Sequence, residues 1–598
     1  MSSATSRGKQ TAQAIKDAGG VMTHRQILFI IFGLMAGMFL SALDQTIVGT
    51  SMRTIADDLK GLDAQAWVTT AYLITSTIAT PIYGKLSDIF GRRPLFIIAI
   101  VIFLVGSIAA GFATSMYQLA GFRALQGLGA GGLMALPLAI MGDILAPRER
   151  AKYQGYFLAV FGISSVAGPL IGGLLSGTDF ILGITGWRWV FLINIPIGAV
   201  ALAIVLRFLH IPHTRHSVRI DWWGAATVVL ALVPLLLVAE QGREWGWDSA
   251  GAIACYVIGA LGVAAFIISE KLMGDDALIP LKLFKNPTFR MATILGVLVG
   301  FGMFGAMMTI PLYLQLVNGA TPTESGFLML PMILGLMIAS IVSGQVIART
   351  GVYKWFPRLG TFLMAAGFFW FTFASADKPV WYMMIGMFLV GLGLGQLMQT
   401  LTIASQNSVG PRDIGVATSS STFFRQIGGT LGVAILFSVL YTRIPLAIAD
   451  AFDNATNRAN LAAAASDPDV LSDPANKDIL TLLANAQGGD TSAVSNSLNS
   501  DSSFLNGADP RLSAPFLQGF NDAAVSIFWV ALGVVLVAFV LSWFLKTTPL
   551  RAKSALQENA DNDAAVAAQR AADATGALIE PGAAAAEPAR KAPAAKKS

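Results

Sequence analysis

The chain has 598 residues, of which 55% are hydrophobic and only 13% are charged, and its mean hydropathy is +0.64. A soluble domain carries about 25% charged residues and needs polar surface to cover its core. The composition therefore excludes a soluble enzyme, a disordered chain and a disulfide scaffold, and the single cysteine, Cys255, cannot form an internal disulfide.

Apolar stretches of about 20 residues, each long enough to cross a bilayer as a helix, recur along the chain. The first follows a polar, basic tail at 1–26 and is too long for the core of a signal peptide. The predicted spans lie at 27–49, 66–86, 95–113, 118–142, 152–176, 187–208, 222–240, 250–271, 292–316, 324–348, 358–376, 380–404, 415–441 and 523–546. The sequence therefore predicts an all-α integral membrane protein with 14 transmembrane helices.

Lysine and arginine are distributed unevenly over the connecting loops. The loops after even-numbered spans hold seventeen of these residues, whereas the short loops after odd-numbered spans hold five. Because cytoplasmic loops carry the excess of positive charge, we expect a multi-pass protein of the cell (cytoplasmic) membrane with both termini in the cytoplasm. The same bias explains the net charge of +5, so no nucleic-acid partner is expected.

Two motifs recur later in the sequence, and both recur at nearly the same offset in residue number. GLGAGGLM at 127–134 resembles GLGLGQLM at 391–398, and Gly84 at the start of a glycine-bracketed loop corresponds to Gly344. The offsets are 264 and 260 residues. Two matches at almost one offset indicate two homologous six-helix halves with two spans inserted between them. Duplicated halves with a substrate bound between them are typical of secondary transporters.

The chain then divides into five parts. A cytoplasmic N-terminal tail covers 1–26, and the first half covers 27–208. The inserted pair of spans covers 209–291, the second half covers 292–546, and a cytoplasmic tail covers 547–598. Within the second half, 442–522 is predicted to be a long extracytoplasmic loop, in which NRANLAAAAS and NKDILTLLANAQ are expected to form short helices. The C-terminal tail is Ala-rich and is expected to be disordered.

Two ionisable residues of the first half are predicted at membrane depth. Asp44 lies in MFLSALDQTIVG of the first span and Arg123 in GFRALQGLGAGG of the fourth. A charge there is costly unless it is paired or hydrated, so both are functional candidates. Each lies about five residues from the outer end of its span, or roughly 8 Å below the outer surface. Contact with a guanidinium favours the ionised carboxylate and separation favours the protonated form, so their separation would control protonation.

Alternatives remain for both residues. Asp44 would have no special role if it were merely hydrated at the outer interface. Arg123 would be structural if it only tied down backbone carbonyl groups or extended towards the interface.

The loop GKLSDIFGRRP at 84–94 joins the second and third spans. Its glycines, Gly84 and Gly91, permit a tight turn and a close approach of helices. Its charges are predicted to form a cytoplasmic cluster with an aspartate at the end of the fourth span, and this cluster would close the inner side. The predicted members are Asp88, Arg92, Arg93 and Asp143. The alternative is a purely topological anchor.

SSVAGPLIGGLL at 164–175 lies in the fifth span. Small residues allow close helix packing, and a proline releases a backbone carbonyl and bends the helix. The motif residues are Gly168, Pro169, Gly172 and Gly173. This pattern predicts a hinge or a sealing contact.

Two further charged residues lie in the second half. Arg425, in STFFRQIGGTLG, lies about ten residues from the inner end of its span and has no obvious acidic partner. A structural role and a role in substrate binding or coupling are equally open for it. Glu324 begins the tenth span at the outer side, where a hydrated residue is the simpler interpretation.

No metal-ligand spacing, phosphate loop or nucleophile elbow is found in the sequence. The histidines, His24, His210, His213 and His216, fall in predicted cytoplasmic segments and are explained by solvated basic surfaces. We therefore expect no metal and no cofactor. Without a nucleotide site, uphill transport would depend on an ion gradient, which supplies about 2.3 kcal/mol per charge per 100 mV.

These motifs together resemble the major facilitator superfamily, in particular its 14-helix drug:proton antiporter branch. GKLSDIFGRRP, RALQGLGAGG and AGPLIGG are similar to the family's motifs in the loop after helix 2, in helix 4 and in helix 5. WRWVFLINIPIG at 187–198 and LDQTI in the first span are similar to elements of the 14-helix branch. The resemblance covers about residues 25–441 and the last span.

The resemblance implies no enzymatic activity but proton-coupled export of small amphipathic, often cationic organic compounds, as in multidrug efflux and antibiotic resistance. Two helix bundles would alternate access, with Asp44 carrying the proton and Arg123 tuning it. The 84–94 loop and Asp143 would gate the inner side, and the fifth span would seal against leak.

Two other functions stay open. One is export of an endogenous lipid, lipopeptide or siderophore, which the loop at 442–522 would pass to an extracytoplasmic partner. The other is a non-transporting membrane scaffold or receptor on the same fold. The charged residues at membrane depth argue against the second, because a scaffold has no need of them.

Overall fold

The structure is a computed structural model that describes residues 24–60, 65–209, 219–487, 505, 507–551 and a few isolated positions as far as 566. The N-terminal tail before residue 24 and nearly all of the C-terminal tail lie outside the described residues, as do His210, His213 and His216. Long helices occupy every one of the fourteen predicted spans.

The fourteen long helices are numbered here in chain order. They are α1 (His24–Asp58), α2 (Gln65–Phe90), α3 (Arg92–Gly111), α4 (Met116–Ile144), α5 (Pro147–Ser176), α6 (Asn194–Phe208), α7 (Trp222–Trp245), α8 (Ala250–Met273), α9 (Pro287–Leu316), α10 (Leu330–Thr350), α11 (Trp355–Phe371), α12 (Val380–Asn407), α13 (Ile414–Asp453) and α14 (Pro510–Ser542). Short α-helices lie at Trp189–Leu192, Pro322–Leu328, Ala455–Ala465, Pro468–Ser472 and Lys477–Gln487. Two-residue strands β1 (Phe180–Ile181) and β2 (Ile184–Thr185) form an antiparallel hairpin that pairs Phe180 with Thr185.

Twelve segments of the described chain have the length and hydropathy to cross a membrane. The two long helices that fall short are α2, which is rich in threonine, and α11, which has only 17 residues. Both pack inside a bundle, α2 against α4 and α11 against α12. The described part of the chain is therefore all-helical apart from the short hairpin, as the sequence predicts.

The same helix pairings recur in the two halves. In the first half, α1 packs against α5, and α4 packs against both α2 and α3. In the second half, α9 packs against α13, and α12 packs against both α10 and α11. The pairings match position by position, as expected for the internal repeat.

The repeated glycine motif supplies these contacts. In α4, a Cβ atom at Gly131 would lie 2.5 Å from the Ser76 carbonyl oxygen of α2, and one at Gly129 would lie 2.5 Å from the Phe103 nitrogen of α3. Residues two apart face different sides of a helix, so the spacing of the glycines lets α4 approach two neighbours at once.

The glycines of the second half do the same for α12. A Cβ atom at Gly391 would lie 3.0 Å from the Met332 Cα atom of α10, and one at Gly393 would lie 2.5 Å from the Gly360 carbonyl oxygen of α11. The glycine motif is therefore explained by close helix packing. It is present in both halves because the same helix pairings are present in both.

The two halves meet along two seams, α5 with α10 and α2 with α13. The inserted helices α7 and α8 pack against each other, and α7 also contacts α2 and α13. Buried Ile74 of α2, Leu232 of α7 and Phe423 of α13 belong to one apolar cluster. The inserted pair thus lies against one seam.

The predicted long loop at 442–522 is shorter in the structure than expected. Helix α13 continues to Asp453 and α14 begins at Pro510, because the extension of α13 is apolar on one face and packs on the first turns of α14. Ile444 and Ile448 are buried, and the rings of Phe452 and Phe516 lie 5.2 Å apart. The two stretches predicted as short helices, 457–466 and 476–487, coincide except for one terminal residue each with parts of Ala455–Ala465 and Lys477–Gln487.

One end of the bundle carries the connections at Gly91, between α2 and α3, and at Leu145 and Ala146, between α4 and α5. It is called the basic end here, because the sequence assigns its loops the excess of positive charge. The other end, which carries the β1–β2 hairpin, is called the opposite end.

Candidate functional site

A buried ion pair joins α1 to α4. The Oδ2 atom of Asp44 lies 2.5 Å from an Nη atom of Arg123, and their side chains are 0% and 2% exposed. The two residues that the sequence places at membrane depth are therefore in direct contact. Asp44 lies fourteen residues, or roughly 21 Å, from the end of α1, so it is farther from the helix end than predicted, because α1 extends past residue 49.

Two amides complete the surroundings of the carboxylate. Gln126 Nε2 donates to Asp44 Oδ1 at 2.9 Å, and Asn194 Nδ2 donates to the same oxygen at 2.7 Å. Together with the guanidinium of Arg123, these donors give the carboxylate three hydrogen-bond partners. Sequence reasoning missed both amides, although each is a polar residue within an apolar run, in RALQGLGAGG and in FLINIPIG.

Neighbouring side chains hold the partners of Asp44 in place. The Arg123 guanidinium carbon lies 4.0 Å from the centre of the Tyr72 ring, a cation–π arrangement. The Tyr72 hydroxyl lies 3.0 Å from that of Ser41. Ser107 accepts a hydrogen bond from Asn194 Nδ2 at 2.9 Å. The orientations of Arg123 and Asn194 are therefore each set by a second contact.

Two atoms of this network, Arg123 Nε and Asn194 Oδ1, are buried and have no hydrogen-bond partner in the described chain. An unsatisfied buried polar atom costs about 1–3 kcal/mol. Asp44 and Arg123 supply each other's counter-charge in a buried surrounding, so loss of either side chain would leave the other charge uncompensated.

A second charge cluster lies at the basic end. Arg92 lies between two carboxylates, with an Nη atom 2.5 Å from Asp88 Oδ1 and Nε 2.6 Å from Asp143 Oδ2. Arg92 also donates to the Ser87 hydroxyl. Three of the four predicted charges therefore come together and connect α2, α3 and α4.

Arg93, the fourth predicted member, lies outside this cluster. Its Nη2 donates to the carbonyl oxygen of Leu206 near the end of α6, at 2.7 Å. Successive residues of a helix point about 100° apart, so Arg92 and Arg93 face different neighbours. Arg93 ties α3 to α6 instead.

Asp88 also binds the second half. The backbone N–H of Val416 donates to Asp88 Oδ2 at 3.1 Å, and Val416 lies in the first turn of α13. A helix N-terminus carries partial positive charge and unpaired N–H groups, which favour a carboxylate. No sequence signal indicated Val416, because only its backbone takes part.

The two glycines of the 84–94 loop have separate roles. A Cβ atom at Gly84 would collide with the Ser419 side chain of α13, so glycine allows α2 and α13 to touch. Gly91 has φ +95°, a backbone conformation that glycine adopts at little cost, and the turn there starts α3.

Amide side chains add bonds between the halves at the basic end. Gln399 Nε2 of α12 donates to the Ala151 carbonyl oxygen of α5 at 2.6 Å. Gln406 Nε2 donates to the Leu138 carbonyl oxygen of α4 at 3.2 Å, and Arg150 donates to Gln406 Oε1. The basic end is therefore closed in this conformation.

The α5 motif faces two neighbours. A Cβ atom at Gly168 would lie 2.5 Å from the Thr46 Cβ atom, and one at Gly172 would lie 3.0 Å from the Ile47 carbonyl oxygen, so both face α1.

The other two residues of the motif face the second half, near the opposite end. The Pro169 ring lies 3.3 Å from where a Cβ atom of Gly326 would be, and a Cβ atom at Gly173 would lie 3.8 Å from Thr323 Oγ1. The motif thus combines tight packing on α1 with a contact between the halves.

The last two predicted residues differ in setting. Glu324 accepts hydrogen bonds from the Thr321 backbone N–H at 2.8 Å and hydroxyl at 3.0 Å, which makes it part of an exposed capping box. Arg425 is 9% exposed and lines a cavity between the halves.

This central cavity is formed by α1, α2, α4 and α5 of the first half and α9, α12 and α13 of the second. Its apolar lining includes Met38, Met134, Phe157, Phe161, Met303 and Phe304, and its polar lining includes Gln45, Tyr72, Gln154, Gln399, Arg425 and Gln426. About 120 Å³ is open to the centres of water molecules, which is room for several waters or part of a small organic molecule. Tyr72 belongs both to the lining and to the surroundings of Arg123.

The described part of the chain holds no group of three or more His, Cys, Asp or Glu side chains placed to bind a metal ion. The arrangement combines a buried ion pair, Asp44 with Arg123, with a mostly apolar cavity, and Tyr72 contacts both.

Comparison with known proteins gives a family and several relatives. A family model described as Major Facilitator Superfamily matches residues 34–433. The chain is 39% identical over 427 residues to Multidrug transporter protein MdtP of Bacillus subtilis (strain 168), covering 71% of this chain and 77% of that protein. It is 36% identical over 437 residues to Multidrug resistance protein 3 of the same strain, covering 73% and 84%.

A third relative matches more of the chain. It is the uncharacterized MFS-type transporter Rv1877 of Mycobacterium tuberculosis (strain H37Rv), 32% identical over 538 residues, which is 90% of this chain and 72% of that protein. Among solved structures, the proton:xylose symporter XylE is similar with a TM-score of 0.55 at 13% identity, covering 90% of this chain and 99% of that one. At that identity the likeness concerns the fold alone.

Proposed function

The chain belongs to the major facilitator superfamily, and we propose that it is a proton-coupled exporter of amphipathic organic compounds. The observation that carries this proposal is the Asp44–Arg123 ion pair, which is buried beside the cavity between the halves. The names of the two Bacillus relatives, which describe multidrug transport and multidrug resistance, support it.

Proton coupling would use Asp44 as the carrier. In the described conformation the carboxylate contacts Arg123, Gln126 and Asn194. The proton would be bound in another conformation, in which Arg123 has moved away, and released on return to this one. Proton binding would then be linked to the conformation, which is what exchange of a proton for a substrate requires.

A route to the substrate would run through Tyr72. Its ring packs on Arg123 and also lines the cavity, so a ligand that displaces the ring would disturb the ion pair. Met and Phe side chains elsewhere in the lining adapt to varied apolar molecules. This arrangement suits a broad set of amphipathic substrates.

Alternating access would depend on the basic end, which we propose to be cytoplasmic. The cluster of Asp88, Arg92 and Asp143 and the amide bonds to α12 hold it shut. Substrate entry from the cytoplasm would require these bonds to break. Closure at the opposite end would then bring the α5 motif closer to Pro322–Leu328.

The test is substrate-induced proton release in proteoliposomes, measured together with equilibrium substrate binding. Asp44→Asn should abolish proton-driven efflux and still bind substrate, and Asp44→Glu should retain part of the activity, because a titratable group remains. Asp453→Asn, at an exposed carboxylate paired with Arg458, is the matched control and should behave like the wild type. Full coupled efflux by Asp44→Asn would refute the assignment. An absence of substrate-dependent proton movement in the wild type would favour a scaffold or receptor.

A further inference from the structure

Arg425 lies deep in the second half and faces the central cavity. It is eleven residues from the start of α13 at Ile414, or roughly 16 Å from the basic end. Its side chain is 9% exposed. Gly300 of α9 makes room for it, because a Cβ atom there would lie 3.1 Å from the Arg425 Cγ atom.

The surroundings of this guanidinium differ from those of Arg123 and Arg92. Arg123 contacts Asp44, and Arg92 contacts two carboxylates. Arg425 has no ion-pair partner within 4.0 Å among the described residues, and the cavity lining includes no Asp or Glu. A cation without a counter-ion at membrane depth is costly, so a ligand that supplies negative charge would bind favourably.

The cavity also offers hydrogen-bonding groups on both of its walls. Gln426 and Thr430 follow Arg425 on α13, and Gln154 of α5 faces them from the first half. Gln154 is 3% exposed, and its side-chain oxygen has no partner in the described chain. The Gln154 oxygen can only accept a hydrogen bond, so it would pair with a donor on the ligand, while Arg425 provides a positive charge and the Met and Phe side chains cover an apolar body.

We propose that the cavity selects amphipathic organic anions, with the anionic group bound by Arg425 and the apolar body against the Met and Phe side chains. The proposal rests on the proposed export function and names its substrate class. It differs from the sequence expectation of often cationic compounds. A planar guanidinium binds a carboxylate through two parallel hydrogen bonds, whereas a cation in the same cavity would be repelled by Arg425 with no carboxylate to offset the repulsion.

The first test uses three probes with one fluorescent body and different charges, measured by equilibrium binding to the full-length wild-type protein in detergent at pH 7.5. They are dansylglycine, an anion, dansylglycinamide, its neutral analogue, and dansylcadaverine, a cation. Dansylglycine should bind about tenfold or more tightly than the other two, as expected for a charge-assisted contact. Equal affinities, a preference for the cation, or no binding of any probe would overturn the proposal.

The second test assigns the selectivity to Arg425. In Arg425→Gln, dansylglycine should lose about tenfold or more in affinity while dansylglycinamide changes by less than about twofold. Arg425→Lys keeps the charge without the planar fork, so part of the preference should remain. Arg349→Gln, which removes an exposed arginine of the same half outside the cavity, is the matched control. An anion preference retained in Arg425→Gln would also overturn the proposal.

Misfolding of one variant does not decide the outcome, because the wild-type probe series and Arg425→Lys are independent measurements. The result is also separable from the proposed function. Anion selectivity without proton movement would refute proton-coupled export and leave the anion site in place. Proton-coupled export with a preference for dansylcadaverine would refute the anion site and leave the proposed function in place.

Discussion

The Asp88 carboxylate accepts a hydrogen bond from the Val416 backbone N–H at 3.1 Å, across 328 residues of sequence and across the boundary between the halves. The same carboxylate is held by Arg92, which also contacts Asp143. One side chain therefore links a charge cluster of the first half to the N-terminus of α13. Any motion that separates α2 from α13 at the basic end must break this link.

Asp88→Asn is expected to impair transport strongly while protein abundance in the membrane stays near normal. The neutral amide loses the ion pair with Arg92 and the attraction to the α13 N-terminus, but no span is removed. Asp143→Asn should resemble it. The two together should be less than additive, because both act through Arg92. Transport rates normalised to abundance are the measurement, and full activity in either single variant would reduce the cluster to a topological anchor.

Gly84→Ala is expected to prevent full closure at the basic end. Its Cβ atom would collide with the Ser419 side chain, so α2 and α13 could not meet. Adding Ser419→Gly removes the colliding atoms and should restore activity, at a cost of roughly 1 kcal/mol in helix stability. Gly121→Ala on α4, where a Cβ atom meets nothing within 4 Å, is the control. Transport by the double variant no better than by Gly84→Ala would count against this packing role.

The features that were predicted best from the sequence are those that depend on a local pattern of residues. Hydrophobic runs predicted the fourteen helices, and the repeated glycines lie at close helix contacts, such as that of Gly129 with Phe103. The similar predicted depth of Asp44 and Arg123 left direct contact and contact through water open; the structure shows direct contact, although Asp44 lies farther from the helix end than predicted. In these cases the predicted feature is determined by residues of one helix or by contacts between two helices.

The features that could not be predicted from the sequence depend on contacts between helices that are distant in the chain. Val416 contributes only a backbone N–H, so no side-chain pattern marks it. Arg93 differs from Arg92 by one position and a rotation of about 100°, which cannot be resolved without knowing where α6 lies. The end of α13 was missed because residues 442–453 are stabilised by packing on α14, as for Ile448 against Gly519.

Orientation in the membrane can be tested with single cysteines. The native Cys255 is half-buried in α8, so it is first replaced by alanine. A cysteine at Asp478, an exposed position in Lys477–Gln487, should react with an impermeant thiol reagent in intact cells. One at Phe90, which is 52% exposed at the basic end, should react only after the cells are opened. Reversed labelling would invert the topology.

The segment between α13 and α14 is expected to contribute stability but not transport. Its buried side chains, including Val470, Ile479 and Leu482, belong to the same apolar cluster as Leu512 of α14. Replacing residues 455–505 by a flexible linker should lower the midpoint of thermal unfolding and leave efflux largely intact, since the cavity lining lies elsewhere. Loss of efflux by a well-folded deletion variant would favour a partner that binds this segment.

Asn194→Ala is expected to change proton coupling without changing the substrate site. Asn194 donates to Asp44 at 2.7 Å but does not line the cavity. Loss of one donor removes a hydrogen bond to a charged group, which contributes about 1.5–3 kcal/mol, so the rate of substrate-induced proton release in proteoliposomes should fall about tenfold or more. Equilibrium substrate affinity should be unchanged. Asn457→Ala, at a buried asparagine of Ala455–Ala465 far from Asp44 in the chain, should release protons at the wild-type rate. Undiminished proton release by Asn194→Ala would show that this contact does not support coupling, and would direct the search to another carboxylate.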